Sequence, residues 1–251
     1  MRSLRILVVV LVLAIVGLIS KQAGAAQTNV AVAANFTDAA KEISAIFRQM
    51  TGHEAVLSFG ASGQLYTQIT QGAPFQILLS ADDERPMRLV NDGLGVAESR
   101  FTYAIGTLVL WSKNANLVTG PETLTSGVFT KLSIANPASA PYGVAAIETL
   151  KALNLYELLK PKIVQGNSIA QAFQFIDTAN AELGFIALSQ LAGNTTGSRW
   201  LVSQNLYTPI RQDAVLLKTA ATNEAAIAFL AFLKGPEARA IIEKFGYSIA
   251  N

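Results

Sequence analysis

The sequence predicts an α/β protein built as two lobes, and three observations carry this. Short apolar runs alternate with segments of helical period along most of the chain. The runs lack the polar alternation of half-exposed strands. Strand ends also pass through small or polar corners straight into helix starts, and they do so in both halves of the chain.

The first corner follows residues 30–34, a small apolar run that stops at Asn35. Phe36, Ala39, Ala40, Ile43, Phe47 and Met50 then recur at helical spacing. Asn35 is expected at the helix N-cap, with Asp38 as its reciprocal partner. A turn at Thr51-Gly-His-Glu54 leads to a second strand over 55–59. Gly60-Ala-Ser-Gly63 opens a helix over 64–71, so Ser62 takes the position Asn35 held before. Residues 75–80 supply a third strand, making the first lobe a β-α-β-α-β unit, and 82–92 another helix. The apolar stretch 101–111 is too long for one ordinary strand and is expected to cross into a second lobe.

In that lobe a short helix near 123–126 and a strand over 132–135 precede Asn136-Pro-Ala-Ser-Ala-Pro-Tyr-Gly143. Pro141 suits the first turn of the next helix, where its missing N–H costs nothing. Residues 162–164 read as a strand, Gln165-Gly-Asn-Ser168 opens a helix over 169–178, and 182–188 form the following strand. After a polar loop at 193–198, strands are expected over 201–206 and 210–217, the latter crossing back. Helices over 222–233 and 236–245 close the chain.

The N-terminus has the layout of a secretory signal peptide: Met-Arg-Ser-Leu-Arg, an apolar run over 6–20, Lys21, then Ala23-Gly-Ala-Ala26. The run is short for a spanning helix of about 20 residues, so an exported protein cut after Ala25 or Ala26 is expected rather than an uncleaved anchor. Removing the three cations Arg2, Arg5 and Lys21 takes the formal charge from +2 to −1, and no basic patch calls for nucleic acid. The absence of cysteine excludes disulfides and thiolate metal sites, and a single histidine, His53, excludes imidazole clusters. His53 reads as a solvated loop residue.

In parallel α/β sheets the carboxyl ends of the strands share one edge, where ligands meet helix N-termini. Helix starts at Tyr142 and Ile169 are placed to face Asn35 and Ser62 across a cleft. One such corner alone is more often a capped helix without a ligand, but this chain has four. Asn35, Ser62, Tyr142 and Ile169 offer dipoles and neutral donors, a chemistry that holds an anion without a paired cation. A site made only of donors leaves a protonated oxyanion's O–H unsatisfied, at about 1–3 kcal/mol. It therefore favours a full dianion over hydrogen phosphate.

Six segments in register carry a family resemblance: Ala33-Ala-Asn-Phe-Thr-Asp38, Ser58-Phe-Gly-Ala-Ser-Gly-Gln-Leu65, Gly72-Ala-Pro74 with Leu79-Ser-Ala-Asp82, Ala135-Asn-Pro-Ala-Ser-Ala-Pro-Tyr-Gly143, Glu182-Leu-Gly-Phe-Ile186, and Leu233-Lys-Gly-Pro-Glu-Ala-Arg-Ala-Ile-Ile-Glu-Lys-Phe-Gly-Tyr247. Over nearly the whole exported chain, the sequence resembles the periplasmic molybdate-binding proteins of ATP-driven (ABC) importers. The resemblance implies the type II periplasmic binding protein fold, in which each lobe is a mixed sheet flanked by helices and the ligand cleft lies between them.

It also implies a periplasmic monomer, not an enzyme, that binds molybdate or tungstate without a cofactor and delivers it to a membrane permease. The metal arrives as an oxyanion, with no direct protein–metal ligand. The implied ligand set is Asn35 through side chain and backbone, Ser62 through hydroxyl and backbone, the backbone N–H of Tyr142 and of Ile169, and Ala34 assisting. The chain departs from some members at Ala187, where they carry a tyrosine, at Asn35, where they carry serine, and at Gln76, often aspartate in the family.

The expected organisation is a signal peptide over 1–26, lobe 1 over 27–103 and 213–251, and lobe 2 over 104–212. Two other readings stay open. One is a binding protein for sulfate or another tetrahedral oxyanion, and the other is a periplasmic enzyme using the carboxylates Asp82, Asp83 and Glu84.

Overall fold

A computed structural model describes residues 25–249; the expected signal peptide lies outside them except for Ala25 and Ala26. The first strand, β1 (Gln27–Ala33), owes its central place to Val30, Ala31 and Val32, all fully buried. Its small side chains let helices cover both faces. It is followed by α1 (Thr37–Thr51), β2 (Glu54–Gly60), α2 (Ser62–Thr70), β3 (Ile77–Leu79), α3 (Glu84–Asn91) and β4 (Phe101–Gly106).

The chain then builds a second sheet from β5 (Leu108–Ser112), β6 (Leu132–Ala135), α4 (Pro141–Ala152), α5 (Tyr156–Leu159), β7 (Ile163–Gly166), α6 (Ile169–Asp177), β8 (Leu183–Ala187) and β9 (Ser198–Leu201). It returns through β10 (Ile210–Leu216) and ends in α7 (Glu224–Leu233) and α8 (Pro236–Lys244).

The two sheets are separate and built alike. The first has the order β2-β1-β3-β10-β4 and the second β7-β6-β8-β5-β9. In each, three parallel strands meet antiparallel ones: β10 runs against β3 and β4, and β5 against β8 and β9. This is the two-lobed type II fold expected from the sequence. In the first lobe Phe47 of α1 meets Phe229 of α7 edge-on at 5.2 Å. In the second, Trp111 of β5 stacks on Phe173 of α6 at 5.2 Å.

The crossings run side by side. Gly106 pairs with Ile210, and beyond them Val202 N–H donates to the Leu108 carbonyl at 3.1 Å. The expected lobe boundaries at 103/104 and 212/213 fall within β4 and β10, which stay in the first sheet's ladder out to Gly106 and from Ile210. The chain therefore changes lobe at Thr107 and over 202–209.

Two local expectations also change. The strand expected over 201–206 lies earlier, as β9, because its ladder partner β5 ends the pairing at Leu201; Gln204–Leu206 is a 3-10 turn. His53 is half-buried, accepting the Ala26 N–H at Nδ1 (3.1 Å) and lying near Phe47.

Candidate binding site between the lobes

Strand register places the four corners. Ala33 of β1 lies opposite Gly60 of β2, so the two strands stop together and Asn35 and Ser62 follow at one sheet edge. Ala135 of β6 lies opposite Gly166 of β7, which does the same for the helix starts at Tyr142 and Ile169. The two edges face each other. Ala34, Asn35, Ser62, Tyr142 and Ile169 all line one cavity of about 10 Å³, completed by Ala33, Gly60, Ala61, Ala81, Ala140 and Pro141. None of these residues is charged. Both lobes wall the cavity.

The donors follow from helix-end accounting, since a helix's first four N–H groups lack intrahelical partners. In α4, Pro141 has no N–H, while Gly143 and Val144 donate to the Ala140 carbonyl at 2.9 and 3.3 Å, so the helix's own first turn leaves Tyr142 unused. In α6, the Ser168 side chain and carbonyl take the N–H groups of Gln171 and Ala172, leaving those of Ile169 and Ala170. In α2, Leu65 is satisfied by Ala61, and Gly63 donates across the cleft to the Ser139 carbonyl at 2.9 Å.

The Ser62 hydroxyl accepts the Ala81 N–H at 2.9 Å. That bond fixes the hydroxyl and leaves its own proton to donate. Three helix N-termini thus point positive dipole ends at one small space.

Asn35 departs from expectation. It does not cap α1; it sits in a 3-10 turn, Ala34–Phe36, and its side chain turns inward. Both Nδ2 protons are taken, one by Gln212 Oε1 at 2.8 Å and one by Tyr247 Oη at 3.0 Å. Asp38 is no reciprocal cap either, being ion-paired with Lys41 at the surface (3.3 Å).

Behind Asn35 lies a buried polar network that the corner motifs did not reveal. Ser189 Oγ donates to the Asn35 carbonyl at 2.8 Å, and Tyr247 Oη lies 2.8 Å from that carbonyl and 2.9 Å from Ser189 Oγ. Gln212 Nε2 reaches Tyr142 Oη at 3.3 Å, and Tyr103 Oη lies within reach of Gln212 Oε1 (3.1 Å) and the Ser80 carbonyl (3.0 Å). The Ser189–Asn35, Tyr247–Ser189 and Gln212–Tyr142 bonds join the lobes. Burial pushes the Tyr103, Tyr142 and Tyr247 phenols well above their ordinary pKa, so all three stay protonated donors. The sequence does carry one signal of this network: Arg211, Gln212 and Asp213 interrupt the apolar β10, and the latter two are buried. Asp213 is buried against Arg100 (2.5 Å) and Thr102 (2.6 Å).

Neither Ala187 nor Gln76, the two further departures, lines the cavity. Ala187 ends β8, with its N–H given to Gln190 Oε1 at 3.0 Å. Gln76 fastens β1, its side chain accepting the Asn29 N–H at 3.0 Å. Asp82 and Glu84 do not line the cavity. Asp82 accepts from Ser80 Oγ and the Arg85 backbone (both 3.0 Å) and pairs with the Arg85 guanidinium, while Glu84 pairs with Arg88 at 3.7 Å.

Fold and site together define a two-lobed binding protein with its pocket where the lobes meet. The profile of the bacterial extracellular solute-binding proteins matches residues 28–248, and the chain belongs to that family. It is 53% identical to the molybdate-binding protein ModA of Rhodobacter capsulatus over 94% of this chain and 93% of that one. Identity to the molybdate-binding protein ModA of Azotobacter vinelandii is 50%, over 93% and 94% of the two chains. A solved structure of the Azotobacter vinelandii periplasmic molybdate-binding protein superposes with a TM-score of 0.87 at 40% identity, covering 89% of this chain and all of that one.

Proposed function

We propose that this protein captures molybdate, and tungstate with it, in the periplasm and delivers it to the membrane permease of an ABC importer. The observation that carries the reading is the convergence of three helix starts and the Asn35 turn, two corners from each lobe, on one small cavity without a charged side chain. A compact dianion suits such a site, because dipoles and neutral donors stabilise full negative charge while offering no carboxylate to a protonated oxyanion. The identity to two molybdate-binding proteins over more than nine-tenths of the chain supports this choice of anion. The ligand donors in this reading are the backbone N–H groups of Tyr142 and Ile169, the Ser62 hydroxyl and backbone, and Asn35, with Ala34 beside it. No group binds the metal directly; it is held through its oxygens. The N-terminal leader over 1–26 exports the chain, which acts as a monomer.

Isothermal titration with molybdate, tungstate, sulfate and phosphate tests the reading. One molybdate or tungstate per chain is expected, with no phosphate binding. Tight phosphate binding, or sulfate bound as strongly as molybdate, would overturn it.

A further inference from the structure

Counting protons in the network behind Asn35 shows two arrangements, of which the first turns an acceptor to the cavity and the second a donor. As placed, Asn35 gives both amide protons away, to Gln212 Oε1 and Tyr247 Oη, so Oδ1 is the side-chain atom left for the cavity it lines. An acceptor there repels an oxyanion. Tyr103 has one hydroxyl proton and two acceptors within reach, Gln212 Oε1 and the Ser80 carbonyl. Tyr142 Oη accepts from Gln212 Nε2, and its own proton has no acceptor among the described residues, although the ring is buried. These strains share one residue, Gln212.

A half-turn of the Gln212 amide removes all of them. Nε2 then donates to Tyr103 Oη, whose single proton goes to Ser80, and Oε1 accepts the idle Tyr142 proton. The second Nε2 proton now faces Asn35, which must answer with Oδ1. Asn35 therefore turns as well. Tyr247 donates to its Oδ1, Ser189 still donates to its carbonyl, and Nδ2 is released to the cavity. Every heavy-atom distance is kept and each hydroxyl has one acceptor; the Tyr247 proton moves from the Asn35 carbonyl to Oδ1, and the carbonyl keeps the Ser189 proton.

We infer that Gln212, held between Tyr103 and Tyr142, is the positioning residue that turns the Asn35 amide so that Nδ2, rather than Oδ1, meets the bound oxyanion. Gln212 touches no ligand itself. Because Tyr142 comes from the second lobe and Gln212 from the first, the setting is complete only when the lobes are closed. The glycine at position 106 is required by the same contact, since a Cβ there would overlap the Tyr142 hydroxyl and lie 2.7 Å from Gln212 Nε2. The inference rests on the proposed oxyanion function.

The test is a double-mutant cycle on the purified protein, with molybdate as the probe: Tyr142→Phe, Gln212→Met and the pair, beside the unaltered chain. Tyr142→Phe keeps the backbone N–H and should bind about fivefold more weakly, the worth of one neutral hydrogen bond. The pair should bind no worse than Gln212→Met alone, because the phenol acts only through Gln212. A merely structural role would instead add the two losses. Should Gln212→Met not fold, NMR of the unaltered protein decides: molybdate should shift the side-chain amide resonances of both Asn35 and Gln212.

Additive losses, an unaffected Tyr142→Phe, or unmoved Asn35 and Gln212 amides while molybdate binds would overturn the inference and leave the proposed function standing. No binding by the unaltered chain would overturn both.

Discussion

Replacing Ser62 with alanine separates ligand chemistry from fold. The side chain is 1% exposed and has two roles: its oxygen accepts the Ala81 N–H at 2.9 Å, and its proton is left for the cavity. Ser62→Ala removes one hydrogen bond to a charged ligand, worth about 1.5–3 kcal/mol, so molybdate should bind roughly 10- to 150-fold more weakly. It also leaves the Ala81 N–H buried without its partner, at a cost of about 1–3 kcal/mol. For a chain of this size each kcal/mol lowers the melting temperature by about 2–4 °C. Titration calorimetry reads the first effect, and calorimetric unfolding without ligand the second. If the melting temperature falls while affinity stays within about twofold, the hydroxyl is a structural acceptor only and the donor assignment fails.

Three further outcomes are expected. Gly63→Val should speed molybdate dissociation, measured by stopped flow, because even a Cβ at this position would lie 3.0 Å from Ser139 Cα and 3.1 Å from its carbonyl oxygen across the closed cleft. An unchanged off-rate would show that the Gly63–Ser139 bond plays no part in holding the lobes shut. Burial raises the Tyr103, Tyr142 and Tyr247 phenols, so these groups contribute stability that is fully present below the unfolded value near pH 10 and is lost as pH rises through their folded values. Urea midpoints should therefore hold from pH 8 to 9.5 and fall above pH 10, and Tyr103→Phe should flatten the fall. Small-angle scattering should show a smaller radius of gyration at molybdate saturation, with the hinge at Thr107 and 202–209; no change in a sample shown to bind would count against closure.

What was legible in the sequence was whatever one strand and its following helix decide locally. The corners at Ser62, Tyr142 and Ile169 could be read because Gly60, Pro141 and Ser168 mark helix starts by turn and capping chemistry. Their meeting in one cavity required strand register, which the pairs Ala33–Gly60 and Ala135–Gly166 supply. An asparagine before a helical pattern reads as a cap, whereas here partners 177 and 212 residues away, Gln212 and Tyr247, claim the Asn35 amide. Such long-range partners leave no local period or spacing. The lobe boundaries were misplaced for a related reason: 101–111 is apolar throughout, and only the β4–β10 ladder shows that the first sheet keeps it to Gly106.

The division of donors between lobes explains why a site without cations can still report occupancy. In the proposed mechanism Ser62 belongs to the first lobe, Tyr142 and Ile169 join it on closure, and the Asn35 amide is set for donation by the same closure. With the proposed dianion, each bond gained to a charge is worth about 1.5–3 kcal/mol, so the two second-lobe donors together supply roughly 3–6 kcal/mol. That is the scale, about 5.5 kcal/mol, needed to carry a two-state equilibrium from 1:99 to 99:1. The protein's own bonds across the cleft, among them Gly63–Ser139, Ser189–Asn35, Tyr247–Ser189 and Gln212–Tyr142, are neutral pairs of about 0.5–1.5 kcal/mol each, exchanged against water when the lobes part. They set the closed geometry, and the bound anion adds a contribution of comparable size to the state a permease would recognise.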